Sequence, residues 1–254
     1  MTNWRIKTMS KVALITGSSR GMGKAEAYEF ASRGYDVIVH YVNSKEAAEN
    51  ISKDIEEKYG VRTAVIKADL SKEDEVRELA SKALEVFGKV DVLVNNAGIA
   101  LYDDFEKKTI EGFEQSMQVN LYAPFLLTQI LAPKMAENKY GKIVNIATID
   151  VMTTYNAEST EYDASKAGLI SLTKTSSLQF QPYVNVNCVC PGWVAPDMNK
   201  NLPQELIDYQ SSKTCKGRMA KPEEVAKLVA FLASDDAEFI DGEVIKIDGG
   251  YKLM

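Results

Sequence analysis

Short apolar runs alternate with longer amphipathic stretches along most of this chain. Lys11-Val12-Ala13-Leu14-Ile15-Thr16 is apolar almost throughout and stops at a glycine cluster, the pattern of a parallel strand buried on both faces. Gly17-Ser18-Ser19-Arg20-Gly21-Met22-Gly23 makes the turn, and a helical pattern runs on through Ala31. Asp36-Val37-Ile38-Val39-His40-Tyr41 is a second strand, and residues 44–59 a helix with Glu and Lys on its wet face. Residues 62–67 form a third strand; Ser71 is the expected N-cap of the next helix, with Asp74 among its first-turn acids. A fourth strand over 90–94 leads into Asn95-Asn96-Ala97-Gly98, and a long helical region spans 110–137, with bends expected at Pro124 and Pro133. Strands at 142–146, 184–189 and 243–247 complete the series, with a helix to about Gln179 following the fifth. Strands alternating with helices of ten or more residues predict right-handed crossovers. The expectation is one α/β domain: a doubly wound parallel sheet of about seven strands with helices on both faces.

Composition narrows the class. Of 254 residues, 45% are hydrophobic and 26% charged, enough for one substantial core. The net charge of −6 offers no basic field for nucleic acid or an anionic membrane. The longest apolar runs are too short to span a bilayer. Three cysteines (Cys188, Cys190, Cys215) and the single His40 lack metal-ligand spacing, so no metal site is expected and a reducing, cytoplasmic setting fits. Residues 1–10 read as a polar extension, with Met9 an alternative start.

Tyr162-Asp163-Ala164-Ser165-Lys166 places a phenol and an ammonium on one helix face, one turn apart. A phenol titrating near ~10 is a poor base at neutral pH, and a neighbouring cation favours the phenolate. The pair can form a proton-transfer group. The glycine turn lets backbone approach a pyrophosphate at a helix N-terminus, although its spacing is not the standard G-x-G-x-x-G. The second strand ends His40-Tyr41-Val42-Asn43-Ser44-Lys45 without the carboxylate that grips a ribose 2′-hydroxyl. Arg20 supplies a cation for a 2′-phosphate, and Asn43 or Ser44 a donor. NADP(H) is therefore expected ahead of NAD(H).

Thr16-Gly17-x-x-x-Gly21-x-Gly23, Asn95-Asn96-Ala97-Gly98 and Tyr162-x-x-x-Lys166 follow in that order, each at a strand end or on the expected helix. Together they resemble the short-chain dehydrogenase/reductase family, from Lys11 to Gly250. Asp69-Leu70, Pro191-Gly192 and Asp248-Gly249-Gly250 sit where that family has comparable elements. The resemblance implies a Rossmann-type domain over residues 11–254. It implies Tyr162 as general acid or base, Lys166 as the group that lowers its pKa and holds the nicotinamide ribose, and Asn120 as the holder of a relay water. Gly17, Ser19, Arg20, Gly21 and Met22, with Asn43 and Ser44, would cradle the cofactor phosphates and ribose. Asp69 and Leu70 would flank the adenine, Asn96, Ala97 and Gly98 line the cleft, and Pro191, Gly192 and Val194 meet the carboxamide.

The chain departs from the pattern twice. Thr148 stands nearest the family's catalytic serine, one residue further from Tyr162 than is usual, and Pro196 replaces a common threonine and cannot donate a hydrogen bond. Asp150, Glu158 and Glu161 near the substrate mouth disfavour an anionic substrate unless they point outward. Residues 197–219 read as a substrate lid, with Asn199, Asn201, Tyr209 and Met219 as candidate contacts. The expected activity is hydride transfer between NADP(H) and a small carbonyl or secondary alcohol. A 3-oxoacyl thioester reductase is the specific alternative, and a catalytically silent cofactor-binding sensor or scaffold the alternative of another class. The resemblance also implies a homo-oligomer, a tetramer or a dimer.

Overall fold

The computed structural model describes residues 10–154, 157–195 and 203–251. The extension before residue 10, Pro196, and the part of the expected lid containing Asn199 and Asn201 lie outside them. Seven strands, β1 (Val12–Ile15), β2 (Asp36–Tyr41), β3 (Thr63–Lys67), β4 (Val92–Asn95), β5 (Gly141–Ile146), β6 (Val184–Pro191) and β7 (Val244–Ile247), form one sheet in the order β3-β2-β1-β4-β5-β6-β7. Every pairing is parallel. The helices are α1 (Gly21–Ser32), α2 (Lys45–Tyr59), α3 (Glu73–Phe87), α4 (Ile110–Met117), α5 (Ala123–Glu137), α6 (Thr160–Phe180), α7 (Gln204–Ser212) and α8 (Pro222–Leu232).

Strands buried on both faces explain the apolar runs. Ala13 and Ile15 of β1 pack with α1, α2 and α8, while Val12 and Leu14 pack with α3 and α5. The strand order reverses between β1 and β4, which opens a crevice beyond their carboxyl ends. A polar rung crosses the sheet beside it. Asn95 on β4 donates to the Asn145 side chain on β5 (2.8 Å), and Asn145 donates to Thr173 on α6 (2.9 Å), all three buried.

Four local expectations are corrected. The 110–137 helix is interrupted by a π-helical turn at Gln118–Tyr122, between α4 and α5. Pro124 begins α5 rather than bending a continuous helix, and Pro133 lies inside α5 without ending it. Ser71 is not the cap of α3: Lys72 stands at that position, and the Ser71 hydroxyl donates to Asp69 instead (2.7 Å). Helices α7 and α8 went unread, although Pro222 followed by Glu223 and Glu224 is a helix start. Among the described residues, no helix is long and apolar enough to cross a membrane.

Candidate active site

The glycine turn is held from three strands at once. Gly17 and Gly21 adopt φ of 67° and 56°, which side-chain-bearing residues rarely take. A Cβ on Gly23 would stand 2.6 Å from the Gly17 carbonyl, so the first turn of α1 folds tightly back over the loop. His40, at the end of β2, accepts the Gly17 N–H on Nδ1 (2.8 Å) and donates from Nε2 to the Ala68 carbonyl (2.9 Å). Those two bonds select the Nε2–H tautomer, and burial pushes the imidazole pKa down to about 4, so it stays neutral. Thr16 accepts the backbone N–H groups of Asn96 and Ala97 (3.0 Å each), and the Asn96 amide donates to the Thr16 carbonyl (2.8 Å). His40 was read from sequence only as a strand residue; its role as a brace appears once β3 brings Ala68 alongside.

A cleft of about 610 Å³ opens over this turn. Its walls include Gly17, Ser19, Arg20, Gly21, Met22, Asn43, Ser44, Asp69, Leu70, Asn96, Ala97, Gly98, Tyr162, Lys166 and Val194. The fold thus gathers these expected contacts into one space. Pro191 and Gly192 are not on the wall, and neither are the expected catalytic residues Asn120 and Thr148. The Pro191 carbonyl accepts from Ile149 (3.0 Å) and the Gly192 N–H donates to Ile247 (3.0 Å), so both are engaged at the sheet edge beside the cleft rather than on its wall. Arg20 is exposed and joins no ion pair among the described residues. Asp69 accepts from the Ser71 hydroxyl and backbone N–H, bonds that hold its carboxyl below the usual range. A positive-φ turn at a helix N-terminus, an uncommitted guanidinium and a lysine at the far end suit a long, polyanionic dinucleotide.

At that far end Lys166 is 2% exposed and its ammonium donates to the Ile146 carbonyl at 2.6 Å. Burial pushes its pKa down to about 8. Its nitrogen lies 5.8 Å from the centre of the Tyr162 ring. The expected lowering of the Tyr162 phenol is not found: burial, then the nearby Asp150 carboxylate, push it up. Burial is the main cause, the Asp150 charge acts in the same direction, and the Lys166 ammonium is turned to the Ile146 carbonyl.

The Asn120 side chain is fully engaged. Its Oδ1 accepts from Ile99 N–H (2.9 Å), and its amide donates to the Ile99 carbonyl (2.8 Å) and to Ser165 Oγ (3.0 Å). Pro124 has no N–H to give the Asn120 carbonyl four residues back, and the π turn forms around that position. The Thr148 hydroxyl donates to Asp150 (3.2 Å). The three mouth acids prove different in kind. Glu161 is buried and paired with Lys108 (2.8 Å), Glu158 is exposed, and Asp150 is half-buried beside the Tyr162 end. Lys108 also donates to the carbonyls of Leu101 and Glu158 (2.7 and 2.6 Å).

Of the expected lid, residues 203–219 are described. Tyr209 on α7 is exposed, whereas Met219 is buried. The segment returns to the sheet end through Cys215 N–H to the Gly250 carbonyl (2.9 Å) and Ala195 N–H to the Ala220 carbonyl (2.7 Å).

Residues 17–252 match the family model described as enoyl-(acyl carrier protein) reductase. The 3-oxoacyl-[acyl-carrier-protein] reductase FabG of Staphylococcus epidermidis is 37% identical over 243 residues, covering 95% of this chain and 99% of that protein. The FabG of Aquifex aeolicus is 38% identical over 246 residues, 96% of this chain and 98% of its own. The chain belongs to the short-chain dehydrogenase/reductase family. Two solved short-chain dehydrogenase/reductase-like structures superpose closely. Acetoin dehydrogenase YohF from Salmonella typhimurium gives a TM-score of 0.88 at 31% identity, covering 96% of both chains. A blue fluorescent protein from a metagenomic library, in complex with NADPH, gives 0.90 at 32%, covering 96% of this chain and 98% of its own. As a member of this family, the protein is an NAD(P)-dependent oxidoreductase acting on CH–OH or carbonyl groups.

Proposed function

We propose that this protein is an NADP(H)-dependent reductase of a small carbonyl substrate, with Tyr162 as the proton donor. The observation that carries this reading is the shared cleft: the glycine turn and Arg20 stand at one end, Tyr162 and Lys166 at the other. Gly17, Ser19, Gly21 and Met22 would hold the pyrophosphate. Arg20, Asn43 and Ser44 would meet a 2′-phosphate, with no acid at the end of β2 to repel it. Asp69 and Leu70 would flank the adenine; Asn96, Ala97, Gly98 and Val194 would line the path to the nicotinamide. When bound, the nicotinamide supplies or takes up the hydride.

The remaining steps belong to the chain's own residues. Burial and the Asp150 charge keep the Tyr162 phenol protonated at neutral pH, which suits donation to a carbonyl oxygen as it gains negative charge. Lys166, mostly charged at pH 7 with its pKa near 8, would hold the nicotinamide ribose. The Asn120 carbonyl, not its occupied amide, is the group that would hold a relay water. Thr148 would steady the substrate oxygen.

A second reading, reduction of a 3-oxoacyl thioester, is favoured by the FabG relatives, which carry that activity in their names. The exposed apolar side chains of Tyr122 at the π turn, Phe125 on α5 and Leu178 on α6 support a homo-oligomer. The test is titration with NADPH and NADH, then a carbonyl panel that includes an acetoacetyl thioester, followed at the nicotinamide absorbance. Tighter NADPH binding with turnover is expected. Tighter NADH binding overturns the reading of Arg20, and binding without turnover on every member favours the silent sensor.

A further inference from the structure

The chain's one histidine is fully buried in β2, a strand that is otherwise apolar around it, yet it stands in the wall of the cleft. Burying an imidazole is costly unless both nitrogens are bonded, and in His40 both are. Three of its hydrogen bonds go to the glycine turn. Nδ1 accepts from the Gly17 N–H (2.8 Å), the His40 carbonyl accepts from the Ser18 N–H (3.0 Å), and the His40 N–H donates to Ser18 Oγ (3.0 Å). The fourth leads away from the turn: Nε2 donates to the Ala68 carbonyl (2.9 Å), immediately before Asp69 and Leu70. Only the two side-chain bonds depend on this residue being histidine.

A backbone N–H in such a turn can face either the protein or a ligand. Gly17 sits at φ 67° against Ala97, where an added Cβ would stand 3.1 Å from the Ala97 Cα, so the turn has little room on that side. On the β2 side its N–H is received by Nδ1. Without that acceptor the N–H is left buried and unpaired unless the turn rotates it outward. Rotation there displaces Ser19, Arg20, Gly21 and Met22, the cleft residues that follow. A turn already set before the ligand arrives spares the ordering cost of binding.

Resting on the reading of this cleft as a dinucleotide site, we propose that His40 is a positioning residue for the cofactor, its Nδ1 acceptor holding the glycine turn in the shape that receives the ADP half. The Nε2 donor ties the same turn to the segment that would flank the adenine. Of the two bonds, the one to Gly17 governs affinity, while the one to Ala68 serves the fold.

The test reads binding apart from chemistry. ADP-ribose contains the ADP half without the 2′-phosphate or the nicotinamide, so calorimetric titration with it separates this role from the choice between NADPH and NADH. In His40→Asn the amide oxygen takes the place of Nδ1 and keeps the Gly17 bond. In His40→Gln the longer amide reaches Ala68 and leaves Gly17 unpaired. His40→Gln is expected to bind ADP-ribose and NADPH about tenfold or more weakly, by the same factor for both, and His40→Asn less than about threefold more weakly. Urea titrations should show both variants destabilised, so loss of stability and loss of binding part company in His40→Asn. Equal weakening in the two variants is what a histidine that merely fills space would give, and it overturns the proposal. So does unchanged affinity in His40→Gln, or a loss confined to NADPH. Circular dichroism first checks that each variant folds. Where His40→Gln does not, the wild type decides, because a single histidine gives a single pair of imidazole nitrogen signals by NMR. A preset turn requires Nδ1 bare and Nε2 protonated both before and after ADP-ribose is added; a mixed tautomer that resolves only with ligand overturns it. Wild type that binds none of ADP-ribose, NADPH and NADH removes the dinucleotide reading itself, whereas binding without the expected order of variants removes only the role of His40.

Discussion

Helix α1 carries Glu26 into the protein interior and α6 carries Lys166, and the two are treated very differently. Glu26 lies on the inward face of α1 with Gly23, Ala27, Phe30 and Ala31, is fully buried, and has no hydrogen-bond partner for either oxygen among the described residues. Lys166 on α6 is as deeply buried but has the Ile146 carbonyl for its ammonium. Burial moves both toward the neutral form, Glu26 up to about 8 and Lys166 down to about 8. At pH 7 the result is opposite: the acid is uncharged and inert, the base charged and held beside Tyr162. With both groups near 8, a base is still protonated and charged at pH 7, whereas an acid is still protonated and neutral.

The largest break in this comparison is to remove what Lys166 serves. Tyr162→Phe should lower kcat by about 10³- to 10⁴-fold while the NADPH dissociation constant moves less than about threefold, read by single-turnover kinetics and fluorescence titration. Undiminished turnover would take Tyr162 out of the chemistry. Next, Lys166→Met should lower kcat about 10²- to 10³-fold and also weaken cofactor binding, a pairing that a purely structural lysine would not produce. A paired buried acid provides the contrast to Glu26. Lys108→Met strands Glu161 without its cation and should destabilise the fold by about 3 kcal/mol in urea titrations.

The smallest effect sharpens the comparison through pH. The folded Glu26 pKa lies above its ordinary 4.5, so the folded state holds the extra proton and stability falls from pH 4.5 to about 8. The folded Lys166 pKa lies below its ordinary 10.5, so the unfolded state binds more protons and stability recovers from about 8 to 10.5. These two groups alone place a stability minimum near pH 8. Glu26→Gln should flatten the lower limb by up to about 1.4 kcal/mol per pH unit, and Lys166→Met the upper one. An unaltered slope in Glu26→Gln, measured by denaturant unfolding from pH 5 to 8, would mean that Glu26 is ionised in the fold.

How far the sequence carried depends on the range of the forces involved. All seven strands were legible, since a strand buried on both faces needs an unbroken apolar run, and the motifs at their ends named residues that share one cleft. The mode in which Asn120 is engaged was not legible, because the π turn depends on Pro124 denying a hydrogen bond within a tertiary context. His40 read as a plain strand residue, since its partners Gly17 and Ala68 come from separate βα units. The direction of the Tyr162 shift was missed for a similar reason. The spacing puts Lys166 nearby, but only the fold shows that Ile146 takes its ammonium and that the phenol is buried with the Asp150 charge acting on it.

The rung from Asn95 through Asn145 to Thr173 acts as a proofreader of assembly. Asn95 and Asn145 pair directly across β4 and β5. A slip of one residue between those strands would turn an apolar side chain toward Asn95 and drive the Asn145 amide into the opposite apolar layer. The error is rejected on both faces of the sheet. Asn96 and Gly98 follow Asn95 directly, and Ile146, the acceptor of the Lys166 ammonium, follows Asn145. The two walls of the cleft are thereby aligned as the sheet zips up, before any ligand arrives.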